Sequence, residues 1–173
     1  NNFEKINELF KLYKIDVLYH CAATAYEGLS VVSPNFVTKN IFQSSVSVFS
    51  AAINNKVKRI IFCSSMARYG NIEPPFTEDS DPNPVDPYGI AKLAAEKVLI
   101  SLCKLNEVEW VIAVPHNIVG PKQKFDDPYR NVMSIIIHKM LKNENPIIYG
   151  DGEQKRCFSF IKDCISPLYK MMT

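Results

Sequence analysis

Three short apolar runs divide the first two thirds of the chain, and each is followed by small or polar residues. They cover residues 16–23, 57–65 and 109–117. Helical patterns separate them, from about 34 to 54 and from 87 to 105, and an earlier helical pattern begins at Phe3. Continuous apolar strands separated by helices indicate a parallel sheet that is covered on both faces. The pattern therefore predicts an α/β fold in which functional residues collect at the carboxyl ends of the strands.

A hydroxyl, a phenol and an ammonium group suited to hydride chemistry follow the second apolar run. Ser65 ends that run, and the pentad Tyr88-Gly89-Ile90-Ala91-Lys92 lies further along the chain. Tyr88 and Lys92 are four residues apart in a predicted helix, so their side chains share one face. A nearby ammonium favours the phenolate, and we therefore expect a lowered pKa for Tyr88, which would act as a proton acceptor. Ser65 either takes part in this group or only caps a turn.

Several ordered motifs between residues 3 and 164 resemble those of one known family. They are His20-Cys21-Ala22-Ala23, Cys63-Ser64-Ser65 with Tyr69-Gly70, the pentad at Tyr88, Asn117-Ile118-Val119-Gly120-Pro121, and Tyr149-Gly150-Asp151-Gly152 ahead of Arg156. In this order the chain resembles the extended short-chain dehydrogenase/reductase family, specifically its NAD-dependent nucleotide-sugar epimerases. The resemblance implies a partial Rossmann-like, doubly wound parallel sheet over residues 1–117. It also implies the start of a small nucleotide-sugar-binding region over residues 118–173.

The resemblance assigns the catalytic roles. Tyr88 would take a proton from a sugar hydroxyl while the hydride on the same carbon passes to NAD, the implied cofactor. Lys92 would hold the nicotinamide ribose and lower the pKa of Tyr88, and Ser65 would hydrogen-bond the reacting sugar oxygen. The implied reaction is epimerisation of a nucleotide sugar, a UDP-hexose at C4, through a transient keto sugar.

Further residues match cofactor positions of the family, namely Cys21, Ala22, Ala23, Thr24, Asn40 and His116, together with Tyr88 and Lys92. Small side chains after the first strand allow close approach of a cofactor, although they also suit ordinary sheet packing. Asn40 would lie near the adenosine or cap a helix. His116 would face the cofactor with its backbone and otherwise serve packing.

The implied substrate positions are Ser65, Asn117, Asn131, Tyr149 and Arg156. Asn117 and Asn131 would offer amides to the sugar diphosphate, the latter near a helix N-terminus. Residues 147–149 resemble a strand that flanks the uracil, with Tyr149 stacking on the base. Arg156 would bind the diphosphate through its planar guanidinium, and an ordinary surface arginine is the alternative.

Other activities of the family remain open. Its 4,6-dehydratases usually place an Asp-Glu pair directly after the strand-end hydroxyl, whereas this chain has Met66 and Ala67. Neither side chain can do acid–base work, which disfavours a dehydratase. Decarboxylases and reductases are not excluded in this way, and neither is a truncated, non-catalytic remnant.

The front of the chain departs from the family pattern. The six glycines, at 28, 70, 89, 120, 150 and 152, do not form the Gly-rich turn that approaches the cofactor pyrophosphate. We therefore expect that the opening unit of the usual fold is absent, that the chain also stops early, and that residues 1–173 alone bind NAD weakly and are inactive. At full length the resemblance implies a homodimer formed by the helices at 34–54 and 87–105.

Composition limits the remaining possibilities. The net charge is +2 with acids and bases interspersed, so nothing indicates binding to nucleic acid or to a membrane surface. The five cysteines, at 21, 63, 103, 157 and 164, are odd in number and lack metal-ligand spacing. They indicate free thiols in a reducing compartment, which favours a cytoplasmic location, and no metal site is expected.

Overall fold

The computed structural model describes residues 2–127, 129 and 131–173, and the chain divides into two compact units. One comprises the chain up to Pro115 together with Leu168–Thr173, and the other spans His116–Pro167. No helix within the described residues is both long enough and apolar enough to cross a membrane.

The first unit contains a three-stranded sheet. Its strands are β1 (Val17–His20), β2 (Arg59–Cys63) and β3 (Glu109–Ala113). β2 lies in the centre and both neighbours run parallel to it, with Leu18 opposite Ile60 and Ile60 opposite Trp110. The predicted parallel α/β arrangement is therefore confirmed, and the three carboxyl ends meet at one edge of the sheet.

Helices and turns connect these strands. In chain order they are α1 (Phe3–Leu12), α2 (Glu27–Val32), α3 (Pro34–Thr38), a π-helical turn (Lys39–Gln43), α4 (Ser44–Asn54), a 3₁₀ turn (Met66–Arg68) and α5 (Pro87–Asn106). The helix predicted from 34 to 54 thus forms with a π-helical turn in its middle, a feature that the apolar pattern alone did not indicate.

Local signals fix the start and the end of α5. The Asp86 side chain accepts a hydrogen bond of 2.8 Å from the backbone of Gly89, and Pro87 occupies the first helical position. The helix ends where Glu107 adopts a left-handed conformation with φ of 56°. α5 therefore begins directly before Tyr88, at the position that the sequence predicted.

One face of the sheet packs against α1, α4 and α5. The core there is apolar and almost fully buried; it includes Phe49, Ile60, Phe62, Ala95 and Leu99. On the opposite face, the Tyr19 hydroxyl donates to the carbonyl of Leu168 at 2.8 Å, and Arg59 donates to the carbonyl of Met171 at 3.0 Å. The last residues of the chain thus lie against that second face.

His20 belongs to the core at the end of β1. Its ring stacks on Phe62 at 5.6 Å and meets Phe49 edge-on at 5.3 Å, and its Nε2 lies 2.9 Å from Ser45 Oγ. Burial, with a smaller contribution from the charge of Lys92, lowers the pKa of His20 to about 4. The imidazole is therefore neutral in the folded protein.

The second unit holds a smaller parallel pair of strands, β4 (Ile118–Val119) and β5 (Ser159–Phe160), with helix α6 (Val132–Leu141) between them. Helix α7 (Ile161–Lys170) follows β5. The strand predicted at residues 147–149 is wrong: this segment is irregular and its three side chains are exposed. No described strand of the unit pairs with it, and an extended segment without a partner gains no ladder hydrogen bonds.

The buried imidazole of His20 gives a testable pH dependence. We expect the NMR titration of His20 to show a pKa of about 4, below its usual 6.5. The unfolded chain then binds the proton more tightly, so the stability that neutral His20 contributes is complete above pH 6.5 and is lost as the pH falls towards 4. Between roughly pH 6 and the folded-state pKa of about 4, the loss amounts to about 1.4 kcal/mol per pH unit.

His20→Phe is the matched control, because a phenyl ring keeps the aromatic packing without a titrating group. Its unfolding free energy should lack this component of the pH slope. A resonance of His20 that titrates near its usual value would contradict the buried, neutral state.

Candidate active site

The candidate site lies where β2 ends and α5 begins. A Cβ atom added at Gly89 would lie 2.6 Å from the carbonyl oxygen of Ala67, too close for any side chain. Gly89 therefore lets the first turn of α5 pack directly on the 3₁₀ turn that follows β2. This contact brings Tyr88 to Ser65, which the sequence placed at the same edge of the sheet.

Ser65 caps a turn, which is one of the two roles that its position suggested. Its Oγ accepts a hydrogen bond of 3.2 Å from the backbone of Ala67 and so caps the 3₁₀ turn. The same side chain lies close enough to Tyr88 to influence the pKa of the phenol. The hydroxyl is thus held by local backbone structure while it faces the phenol.

Tyr88 is buried, with 6% of its surface exposed, and packs in a small apolar cluster with Val37, Ile41 and Ala91. Burial raises its pKa, and the negative charges of nearby carboxylates add to the rise, while the nearby Ser65 hydroxyl opposes it. The expectation of a lowered pKa is therefore wrong for the protein in this state. At neutral pH the phenol carries its proton.

The direction of the Lys92 side chain explains this difference. Lys92 is 3% exposed, its Nζ donates to the carbonyl of Cys63 at 2.7 Å, and the ammonium lies 4.9 Å from the centre of the Phe62 ring. The predicted helical spacing from Tyr88 is present, but the ammonium is directed to the end of β2. Burial lowers the pKa of Lys92 to about 8, although nearby acidic groups, chiefly Cys63, oppose the shift. The hydrogen bond uses one of its three N–H donors.

A buried carboxylate, which the sequence analysis missed, connects the elements of the site. Glu96 lies on α5 and is 2% exposed; it accepts a short hydrogen bond from Ser64 and pairs with Arg68 at 3.1 Å. Burial raises its pKa, and the bond from Ser64 and the charge of Arg68 oppose the rise. The signal was present in the sequence: Glu96 follows Lys92 by four residues and so lies on the same helix face.

The predicted cofactor stretch follows β1. Cys21 and Ala22 are exposed, Thr24 is partly buried, and Ala23 packs against the apolar cluster of Tyr88. Asn40 lies inside the π-helical turn and its Nδ2 donates to the carbonyl of Phe36 at 2.8 Å. The capping role considered for Asn40 is therefore wrong, because the helical run continues on both sides of it.

In the second unit, two of the predicted amides serve local structure. Asn117 has a positive φ of 39°, and its Nδ2 donates to the carbonyl of Cys157 at 3.0 Å. Asn131 accepts a hydrogen bond of 3.0 Å from the backbone of Met133 and so caps α6. Both residues fix the backbone at the ends of elements.

The other predicted residues of this unit are more accessible. Tyr149 and Arg156 are exposed, and His116 is partly buried. Burial, followed by the positive charge of Arg156, lowers the pKa of His116. His116 and Arg156 therefore lie near each other, 40 positions apart in the sequence.

The chain is similar in sequence to known proteins along nearly its whole length. Residues 1–173 match the sequence model of a family described as the NAD dependent epimerase/dehydratase family. A protein of Methanocaldococcus jannaschii, provisionally described as a UDP-glucose 4-epimerase, is 35% identical over 92% of this chain and 52% of its own length. A UDP-N-acetyl-alpha-D-glucosaminuronate decarboxylase of Bacillus cytotoxicus is 32% identical over 91% of this chain and 50% of its own length.

Solved structures agree with these relatives. The crystal structure of a UDP-glucose 4-epimerase from Thermotoga maritima, with UDP-glucose, superposes with a TM-score of 0.89 at 29% identity and covers 95% of this chain and 54% of its own. The Rossmann-like fold class is therefore confirmed. The chain spans about half the length of the curated relatives it matches.

The pairing of Glu96 with Arg68 can be tested by stability. The guanidinium of Arg68 pairs with Glu96 at 3.1 Å. Its Nε is buried and has no hydrogen-bond partner among the described residues. Glu96→Ala should lower the unfolding free energy by about 3–5 kcal/mol, because one charge of a buried pair is left uncompensated. Denaturant titration of the natural protein that carries this chain measures the loss.

Glu8→Ala serves as the matched control, since Glu8 is an exposed carboxylate on α1. It should change stability by no more than about 0.5 kcal/mol. Equal effects of the two substitutions would show that Glu96 does not hold the site together.

Proposed function

The chain belongs to the NAD dependent epimerase/dehydratase family, and we propose that the protein carrying it epimerises a nucleotide sugar, a UDP-hexose at C4, by transient oxidation with NAD. One observation carries the proposal: Ser65 and Tyr88 lie near each other at the carboxyl edge of a parallel sheet, with Lys92 one helical turn further on. These are the hydroxyl, phenol and ammonium that such an oxidation needs.

The residues present fit the nicotinamide side of NAD. Lys92 is a buried ammonium with donors left for ribose hydroxyls, and Ala22 offers an exposed methyl group at the end of β1, where a flat ring can approach closely. The sequence contains no Gly-rich turn for the pyrophosphate. The residues present thus fit the nicotinamide half of NAD, which carries the reactive ring.

The proposed chemistry assigns one proton to Tyr88. NAD, held at its ribose by Lys92, would supply reversible hydride transfer and the positive charge of its oxidised ring. Tyr88 accepts the hydroxyl proton and gives it back, and Ser65 donates a hydrogen bond to the reacting oxygen. Because burial raises the pKa of Tyr88 and the Lys92 ammonium is bound to the carbonyl of Cys63, the phenol needs a further positive charge close by before it can act as a base.

Epimerisation is favoured over dehydration by the residues after Ser65. Met66 and Ala67 begin the 3₁₀ turn, and neither can remove or donate the protons that loss of water requires. A decarboxylase or reductase would use the same Ser65, Tyr88 and Lys92, so product analysis distinguishes these alternatives. The proposal also includes Asn117, Asn131, Tyr149 and Arg156 as nucleotide-sugar contacts. It further includes a homodimer built on the helical runs 34–54 and 87–105, and a cytoplasmic location in keeping with free cysteines.

Removing the phenolic hydroxyl tests the catalytic assignment. Tyr88→Phe in the natural protein should lower turnover of UDP-hexoses by about 10² or more, the scale of a lost general base, with the fold intact. Coupled assay of the epimerised sugar measures turnover, and circular dichroism checks the fold. Tyr13→Phe, at an exposed position of the same unit, is the control and should keep full activity. Undiminished turnover in Tyr88→Phe would rule out Tyr88 as the base.

A separate substitution tests the substrate unit. Arg156→Ala should raise KM for the nucleotide sugar at least about tenfold while NAD content stays constant, because a charge-assisted contact to the diphosphate is lost. Lys155→Ala removes a neighbouring exposed cation and should have little effect. An equal loss of NAD content and substrate binding in Arg156→Ala would indicate a folding role instead.

A further inference from the structure

Two thiols meet at the same edge of the sheet. Cys63 is the last residue of β2, and Cys21 directly follows β1. Because His20 is opposite Phe62 in the parallel register, Cys21 and Cys63 are the next pair along. Their Sγ atoms are 3.5 Å apart, so an approach of about 1.5 Å would reach the length of a disulfide bond.

The surroundings give the two thiols different roles. Cys21 is exposed to reagents, whereas Cys63 is partly buried. Burial, together with the adjacent Cys21 thiol, raises the pKa of Cys63 to about 12, while the positive charge of Lys92 opposes the shift. Cys21 is therefore the thiol that reacts first, and Cys63 is the thiol held within reach to react second.

We infer that Cys21 and Cys63 form a reversible disulfide when the protein meets a hydroperoxide. The Cys21 thiolate attacks the peroxide: an S–O bond forms, the O–O bond breaks, and the alcohol or water leaves. Cys63 then attacks the Cys21 sulfur, the S–S bond forms, and the departing hydroxide takes the Cys63 proton as water. Two thiols and one hydroperoxide thus give one disulfide, one alcohol and one water, and a dithiol reductant restores both thiols.

The position of the pair couples this oxidation to the cofactor, a step that rests on the proposed function. Cys21 opens the stretch that would contact NAD, and the carbonyl of Cys63 holds the ammonium of Lys92. Bound NAD covers the exposed thiol and so slows its oxidation. To the extent that bound NAD disfavours the disulfide at equilibrium, linkage requires that the disulfide weakens NAD binding by the same factor.

Peptide mapping tests the inference. The reduced natural protein is treated with stoichiometric hydrogen peroxide, its remaining thiols are blocked with N-ethylmaleimide, and it is digested without reductant. We expect a Cys21 peptide linked to a Cys63 peptide, which dithiothreitol separates. Oxidation of the exposed Cys157 without this link, or a link that forms only in denaturant, would overturn the inference.

Substitutions separate the two roles. Cys63→Ser should abolish the link and leave Cys21 as a sulfenic acid that dimedone traps, whereas Cys157→Ser should leave the link unchanged. If Cys63→Ser does not fold, bridging of the natural protein by phenylarsine oxide, which needs two adjacent thiols, replaces it. Failure of the arsenical to protect Cys21 and Cys63 together from N-ethylmaleimide would refute the pairing.

The cofactor provides the last arm of the test. Saturating NAD should slow formation of the link at least about tenfold. An unchanged rate in protein that binds NAD would refute the coupling. Protein that forms the link but binds no NAD would refute the proposed function while leaving the disulfide in place.

Discussion

A single buried carboxylate determines how the site is assembled. Glu96 joins α5 to Ser64 after β2 and to Arg68 in the 3₁₀ turn, so one charge fixes three elements relative to each other. Ser65 lies between those two partners in the sequence, and its position against Tyr88 depends on both. Gly89 permits the close approach that the ion pair then holds. The geometry of the candidate site therefore depends on packing and on a buried charge pair as well as on the spacing of the pentad.

The sequence predicted the elements that follow from repeating patterns of apolar residues. It missed the features that depend on where a side chain points or on which segment lies beside it. Continuous apolar runs gave the parallel strands, and the helical pattern from residue 87 gave the start of α5 at its observed place. Helical spacing placed Lys92 beside Tyr88 but could not tell where the ammonium points, because the acceptor, the carbonyl of Cys63, is far away in sequence. The segment at 147–149 failed for the same reason, since an apolar run predicts a strand only where a partner strand exists.

The state of Tyr88 shows why side-chain identity alone does not define a catalytic base. A phenol among Val37, Ile41 and Ala91 is stabilised in its neutral form, so burial works against the role that the pentad suggests. The same burial excludes water and strengthens the effect of any cation that comes near. In the proposed reaction, this apolar surrounding would keep the phenol neutral until a positive charge is bound nearby.

The π-helical turn at Lys39–Gln43 corrects the angular position of the buried residues around the helix axis. Five buried positions recur every four residues along this helical run: Val37, Ile41, Ser45, Phe49 and Ile53. An ideal α-helix repeats every 3.6 residues, so a strict spacing of four would carry the row around the helix by about 40° at each step. A π-helical turn contains more residues than an α-helical turn, so it offsets this rotation and returns the buried residues towards one side of the helix. The helical run thus packs Val37 and Ile41 against Tyr88, and Phe49 and Ile53 in the main core. Removing one residue from the turn would rotate one of these pairs away from its neighbours by about 100°.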